Sequence, residues 1–214
     1  MKDYARREVA LATGLSALAG YVDAVGYLTL GGFFLSFMSG NSTRMGVGLA
    51  SGHWGQAATA FGLIVLFVVG VVLGSTIARR ARAGQRWRIL AAEAAFLAVG
   101  ATLCSLNHVG PGMALVVMAM GMENAVFQKD GHVPVGLTYM TGALVRIGQS
   151  LAAALDGGPR WEWAATMVLW SGLALGGAVG GISFLKLGVA ALWPAAVVVA
   201  GLAVVLAVLD RERT

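Results

Sequence analysis

The chain has 214 residues, of which 58% are apolar and 12% charged, with 31 glycines and a formal net charge of +5. Soluble domains carry about 25% charged residues, and this chain has too few polar groups to cover a water-facing surface. That excludes a cytosolic enzyme, a nucleic-acid-binding domain and a disordered tail, and leaves an integral membrane protein.

The chain opens with Met1–Glu8 and an apolar run through Ala17-Leu18-Ala19, the outline of a secretory signal. The run continues to Leu30, so a first transmembrane helix over Val9–Leu30 is the better reading. Next comes a short polar stretch, Ser36–Ser51, holding Arg44 and several Gly, Ser and Thr residues, and poorly suited to face lipid. Long apolar segments follow at Ala57–Ala78, Ile89–Leu106 and Gly112–Gln128. A second polar stretch, Thr138–Leu155, contains Arg146. Two more apolar segments, Ala164–Leu185 and Leu187–Leu209, complete the chain. The long segments hold about 17–23 residues each, the length of a helix crossing roughly 30 Å of hydrocarbon. No linker separates two domains, so residues 1–214 read as one transmembrane domain.

An internal repeat is the strongest signal. Ser36-Phe-Met-Ser-Gly-Asn-Ser-Thr-Arg-Met-Gly46 aligns without gaps with Thr138-Tyr-Met-Thr-Gly-Ala-Leu-Val-Arg-Ile-Gly148, four of eleven positions being identical. Upstream, Gly20-Tyr-Val-Asp23-Ala-Val25 aligns with Gly121-Met-Glu-Asn124-Ala-Val126. The halves are then about 9–106 and 112–209.

Charge placement orients the chain. Five of the 15 basic residues (Arg79, Arg80, Arg82, Arg86 and Arg88) fall in one loop, and the positive-inside rule puts that loop in the cytoplasm. If both polar stretches crossed fully, the loop would lie outside. If they re-enter and leave on one side, the loop is inside, and so are both termini; only Lys186 is misplaced. The expected fold is therefore all-α: about six transmembrane helices plus two short re-entrant or broken helices. With three crossings per half, the second half enters the membrane in the opposite sense, giving an inverted 3+3 repeat, an architecture of secondary transporters. Gly31–Leu35 is long enough when extended to reach roughly the midplane. Lys129–Leu137, with Pro134 and Gly136, takes the corresponding part in the second half.

The strings Gly20-Tyr-Val-Asp-Ala-Val-Gly-Tyr-Leu, Phe34-Leu-Ser-Phe-Met-Ser-Gly-Asn41, Glu123-Asn-Ala and Thr138-Tyr-Met-Thr-Gly142 resemble the YoaK-type bacterial inner-membrane proteins. The resemblance covers nearly the whole chain and implies a multi-pass protein of the bacterial inner (cytoplasmic) membrane. That family is described as transporter-like, without established catalytic residues to carry over.

Chemistry must therefore come from polar groups at membrane depth. Five ionisable residues qualify: Asp23, Arg44, Glu93, Glu123 and Arg146. A charge at a helix centre costs about 2.5–3.5 kcal/mol on insertion scales, so each needs a partner or a wet cavity. Glu93, close after Arg88, is expected to reach the headgroups. Asp23 and Glu123 lie in matching helices, one register apart. One reading pairs them with Arg44 and Arg146 as structural salt bridges. The other gathers the four into a midplane site, the carboxylates carrying protons and the arginines facing an anionic solute. Ser39, Asn41, Asn124 and Thr141, with Thr43 and Gln149, would add hydrogen bonds there or serve helix packing.

Enzyme readings fare worse. Gly48-Leu-Ala-Ser51-Gly52 has one residue too many for a nucleophile signature, and His53, His108 and His132 are scattered in loops without metal-ligand spacing. The single Cys104 excludes a cysteine-built metal site, and the run Met113–Met122 reads as core filling rather than copper ligation. No cofactor and no metal are expected. The expected partners are the bilayer and a small-molecule or ion substrate, with no nucleic acid and a homo-oligomer left open. The reading that results is a proton-coupled secondary transporter of a small anionic solute, with its site between the repeats. The alternatives are a channel or passive pore, and a structural or assembly membrane protein without transport activity.

Overall fold

In the computed structural model, residues 6–81, 84–128 and 140–212 are described. They form α1 (Arg6–Thr29), α2 (Met38–Ala50), α3 (Trp54–Arg80), α4 (Gln85–Ser105), α5 (Val109–Glu123), α6 (Met140–Leu155), α7 (Glu162–Leu187), a 3₁₀ turn (Gly188–Ala191) and α8 (Leu192–Arg211). Each long apolar segment of the sequence is a helix, because in hydrocarbon every backbone N–H and C=O must be satisfied within the segment. Among the described residues, four helical stretches are long and apolar enough to cross a membrane: 8–29, 54–80, 85–105 and 162–211. The last contains both α7 and α8. Their outward faces are apolar, with Phe61, Val65, Val68 and Val72 exposed on α3 and Leu175, Val179 and Ile182 on α7. This is a multi-pass membrane protein.

Glycine decides which helices touch. A Cβ on Gly176 of α7 would strike the Ala17 carbonyl of α1, one on Gly180 the Tyr21 carbonyl, and one on Gly20 the Leu173 carbonyl. The α3–α5 contact repeats this set: Gly70 meets the Met118 carbonyl, Gly74 that of Met122, and Gly121 that of Phe67. Every member of the first set has its counterpart in the second, at one constant offset from α1 to α5 and another from α3 to α7. Small residues at such positions let backbones approach and gain dispersion contact where lipid supplies no hydrophobic drive. The two crossings are one design built twice, and in both the helices run parallel.

Polar contacts fix the levels of the helix ends. Arg86 at the start of α4 pairs with Glu8 at the start of α1 at 2.8 Å. The Gln85 amide donates to the Gln128 carbonyl at 2.9 Å, and a Cβ on Gly84 would lie 2.8 Å from the Asp210 carboxylate. The starts of α1 and α4, the turn after α5 and the end of α8 therefore share one face. It follows that α4 runs antiparallel to α8 and α1 antiparallel to α5.

The sequence-predicted segment Gly112–Gln128 is helical only to Glu123. A turn over 124–127 follows, with the Ala125 and Val126 amides bonded to the Met122 and Glu123 carbonyls, and the Asn124 amide donates back to the Met120 carbonyl at 3.1 Å. The expected extended passage Lys129–Leu137 and the motif start Thr138 lie outside the described residues. α1 passes unbroken through Ala17–Ala19, packed on α7, and the Tyr21 hydroxyl donates to the Ala191 carbonyl at 2.8 Å.

Candidate functional site

The first polar stretch is built on Asp23. Its Oδ1 accepts the amide N–H groups of Leu35 (2.7 Å) and Ser36 (2.6 Å), and its Oδ2 accepts the Ser36 hydroxyl (2.6 Å). Asp23 sits roughly 9 Å short of the end of α1 at 1.5 Å per residue, so the chain has doubled back by that distance when α2 begins. Phe37, the residue before α2, makes no side-chain cap of its own; a carboxylate from the neighbouring helix supplies the negative charge that a helix start favours.

The amide of Asn41 then clasps the backbone of Phe34: its Oδ1 accepts the Phe34 N–H at 3.0 Å and its Nδ2 donates to the Phe34 carbonyl at 2.8 Å. One turn further, Arg44 donates to the Gly31 carbonyl at 3.3 Å and lies over the Phe33 ring, 4.6 Å from its centroid. Moving forward along α2, the partners move backward through 36, 34 and 31. The helix starts at the depth of Asp23 and climbs back toward the end of α1.

A cavity of about 650 Å³ opens beside this turn. Asp23, Tyr27, Phe34 and Ser36 line it from the first half, Met140, Thr141 and Leu144 from the start of α6, and Leu173 and Gly177 from α7. Its size suits a small organic molecule. The starts of both short helices reach it, since Phe37 and Met140 are among its walls. Its surface is apolar and aromatic, interrupted by one carboxylate, from Asp23, and by the hydroxyl-bearing Tyr27, Ser36 and Thr141.

The predicted site residues are thus divided. Asp23 and Thr141 meet at the cavity. Asn41 is buried and committed to Phe34, Ser39 is exposed on α2, and Arg44 is held at the α1–α2 turn. Arg146 is exposed on α6, and Asn124 is buried against its own helix. Asp23 is occupied by backbone amides and Arg44 by the Gly31 carbonyl, so a salt bridge between them, one of the two readings of the sequence, is not how either is satisfied. Glu123 is completely buried in the last turn of α5.

Glu93 corrects an expectation. It does not reach the headgroups; it is completely buried in α4. Counting its distance from Arg88 misled. The helical stripe Ile89, Leu90, Glu93, Ala94, Leu97, Gly100, Ala101, Cys104 is all buried, and Glu93 occupies its middle, a placement readable from 3.6-residue spacing. Ser36 was also missed as a functional residue; a Ser just before a short polar helix is its only sequence signal.

The family described as "Protein of unknown function (DUF1275)" matches residues 11–205. A UPF0700 transmembrane protein of Rhizobium meliloti (strain 1021) is 37% identical over 189 residues, covering 86% of this chain and 80% of that one. The UPF0700 transmembrane protein YoaK of Bacillus subtilis (strain 168) is 26% identical over 149 residues, 66% of each chain. No solved structure matches. The chain belongs to this DUF1275 family of transmembrane proteins.

Proposed function

We propose that the protein is a proton-coupled secondary transporter of a small solute, built as an inverted repeat with six full crossings and two re-entrant helices. The cavity carries this reading. It lies where the re-entrant turn of one half meets the start of the short helix of the other, the location of substrate sites in inverted-repeat transporters.

Three contacts support the inverted, six-crossing arrangement. The Glu8–Arg86 pair needs the start of α1 and the start of α4 on one side. Full crossing by α2 would part them. Asp210 beside Gly84 sets the matched helices α4 and α8 antiparallel, which a parallel repeat would not allow. The return of Arg44 to Gly31 supports a helix that re-enters. Loop 79–88 with its arginines then belongs in the cytoplasm with both termini, in the inner membrane of a bacterium.

The lining defines the solute more narrowly than the charge count did. Neither Arg44 nor Arg146 is among the cavity walls, so the arginines do not select an anion there. Tyr27, Phe34, Leu144 and Leu173 favour a solute with an apolar or planar body, and Ser36 and Thr141 offer it hydroxyls. Asp23 sets the mouth of α2 rather than binding the solute through an arginine. Glu123 is the carboxylate left for coupling.

The test is access. In a Cys104→Ala background, a cysteine at Ala174 in the cavity wall is labelled by a membrane-impermeant maleimide in right-side-out and in inverted vesicles. Labelling from both faces, together with uptake of small apolar or aromatic solutes into proteoliposomes that rises with an imposed pH gradient, is the expected result. Labelling from one face only would oppose alternating access. Uptake that ignores the gradient would make the protein a passive pore.

A further inference from the structure

Two carboxyl groups in the membrane interior have no partner. Glu93 and Glu123 are both completely buried, and none of their four carboxyl oxygens makes a hydrogen bond. Their helices α4 and α5 are antiparallel neighbours in close contact at Gly100 and Gly112. Counted from that contact in opposite senses, Glu93 lies seven residues and Glu123 eleven toward the same face, roughly 6 Å apart along the helix axes at 1.5 Å per residue.

Among the described residues, no cation is hydrogen-bonded to either of them. Arg79 and Arg80 end α3, Arg211 ends α8, and Arg86 and Arg88 stand in the first turn of α4, with Arg86 given to Glu8. From the middle of α1 comes Asp23, which is engaged with Leu35 and Ser36. Two ionised carboxylates here would be like charges, desolvated and unpaired. Each carries a desolvation penalty that no hydrogen bond offsets.

We propose that Glu93 and Glu123 form one acid pair that binds and releases a proton in the membrane interior. Binding converts a carboxylate to a carboxylic acid, which then has an O–H to give to its neighbour. Release returns the proton to water. The route lies toward the face of Gln85, because Gln128, whose side-chain Oε1 is also buried without a partner, follows Glu123 there and accepts from Gln85 through its backbone. Divalent metal is a poor fit. Calcium takes about six to eight oxygen ligands, and among the described residues no third His, Cys, Asp or Glu joins the pair as a metal group.

The pair deepens the transport reading, as its coupling site, but its chemistry can be tested without any solute. Infrared spectra of the full chain in lipid, grown with carboxyl-labelled glutamate, read protonated carboxyl directly. The expected result is a glutamic-acid C=O band at neutral pH that shifts in deuterium oxide and disappears as pH rises. It should persist in Glu8→Gln and be lost in the folded Glu93→Gln/Glu123→Gln variant. Each single variant should move the pH midpoint, since each removes the other's neighbour.

A folded wild type with no such band, or a band that survives the double substitution, overturns the proposal. So does stabilisation by sodium that the double variant abolishes, which would make the site a cation site. Glutamine keeps shape and removes charge, so the double variant should melt no lower than the wild type. If the band behaves as expected and proteoliposome uptake is gradient-independent in wild type and variant alike, the acid pair stands and the coupled-transport reading falls.

Discussion

Gly176→Ala puts a methyl group where α7 rests on the Ala17 carbonyl of α1. The atoms it would meet are the backbone O, C and Cα of Ala17, so no flexible side chain can swing away, and the helices must part along the seam. Overpacking of this kind costs about 1–3 kcal/mol, partly offset by the ~0.5–1 kcal/mol that alanine gains over glycine inside a helix. Gly181→Ala, a few residues along the same helix, meets nothing within 4 Å, so it keeps the gain without the cost. Gly70→Ala meets the Met118 carbonyl in the α3–α5 copy of the crossing and should cost about as much as Gly176→Ala. Thermal unfolding of the purified protein in detergent orders the variants: Gly181→Ala at or above wild type, and the other two below it by similar amounts. If Gly176→Ala melts with Gly181→Ala, the close approach of α1 and α7 is wrong. If only one of Gly70 and Gly176 is sensitive, the two crossings are not one design.

Asp23→Ala removes the acceptor of three hydrogen bonds and strands the Leu35 and Ser36 amides, each left unsatisfied at about 1–3 kcal/mol. It should lower the melting point more than any surface change and expose α2 to protease. Asn41→Ala frees both backbone groups of Phe34 and should cost about 1–3 kcal/mol, whereas Ser42→Ala, whose hydroxyl serves only its own helix at Met38, should change melting little. Arg86→Ala breaks a pair whose side chains are 31% and 23% exposed and should cost less than about 1 kcal/mol. Cysteines placed one at a time at Gly55 and Gly84 should label from opposite faces, 84 from the cytoplasm; the reverse assignment removes the six-crossing topology.

Much of the fold was legible because hydrocarbon allows so few backbone solutions. The apolar runs from Val9 to Leu209 appear as helices, and the two polar stretches as the short helices α2 and α6. The Gly20/Gly121 alignment, noticed as sequence, is the α1–α7 and α3–α5 contact in space. The site was less legible. Pairing Asp23 with Arg44 assumed that charge seeks opposite charge. In a turn that buries backbone, unpaired amides compete for the same carboxylate, and the Leu35 and Ser36 N–H groups are adjacent and already fixed in place. Arg44 in turn found a carbonyl and a ring. Glu93 was misjudged by distance along the chain, when its angle around α4 decided its burial.

The two halves keep their glycines and have diverged in their charges, and that difference bears on the proposed cycle. Asp23 corresponds to Asn124, and Glu123 to Val22. In the first half the carboxylate pins the turn that leads into the short helix α2. In the second, the neutral Asn124 bonds within its own helix, and the acid has moved one position around α5 to an unpartnered setting beside α4. A rocking mechanism needs two backbone arrangements of similar energy and one group whose charge biases the choice between them. Fixed by hydrogen bonds from two amides and a hydroxyl, Asp23 is badly placed for that task. Glu123, without a hydrogen-bond partner and on the helix that packs against that of Glu93, is well placed. Asp23→Asn should therefore act chiefly on stability, retaining one acceptor toward the 35–36 turn and weakening uptake only as far as it unfolds the protein. Glu123→Gln should leave the melting point intact and remove the response to a pH gradient. The opposite pattern, with Asp23→Asn folded and uncoupled and Glu123→Gln fully coupled, would assign the proton to the first half and undo the division of roles.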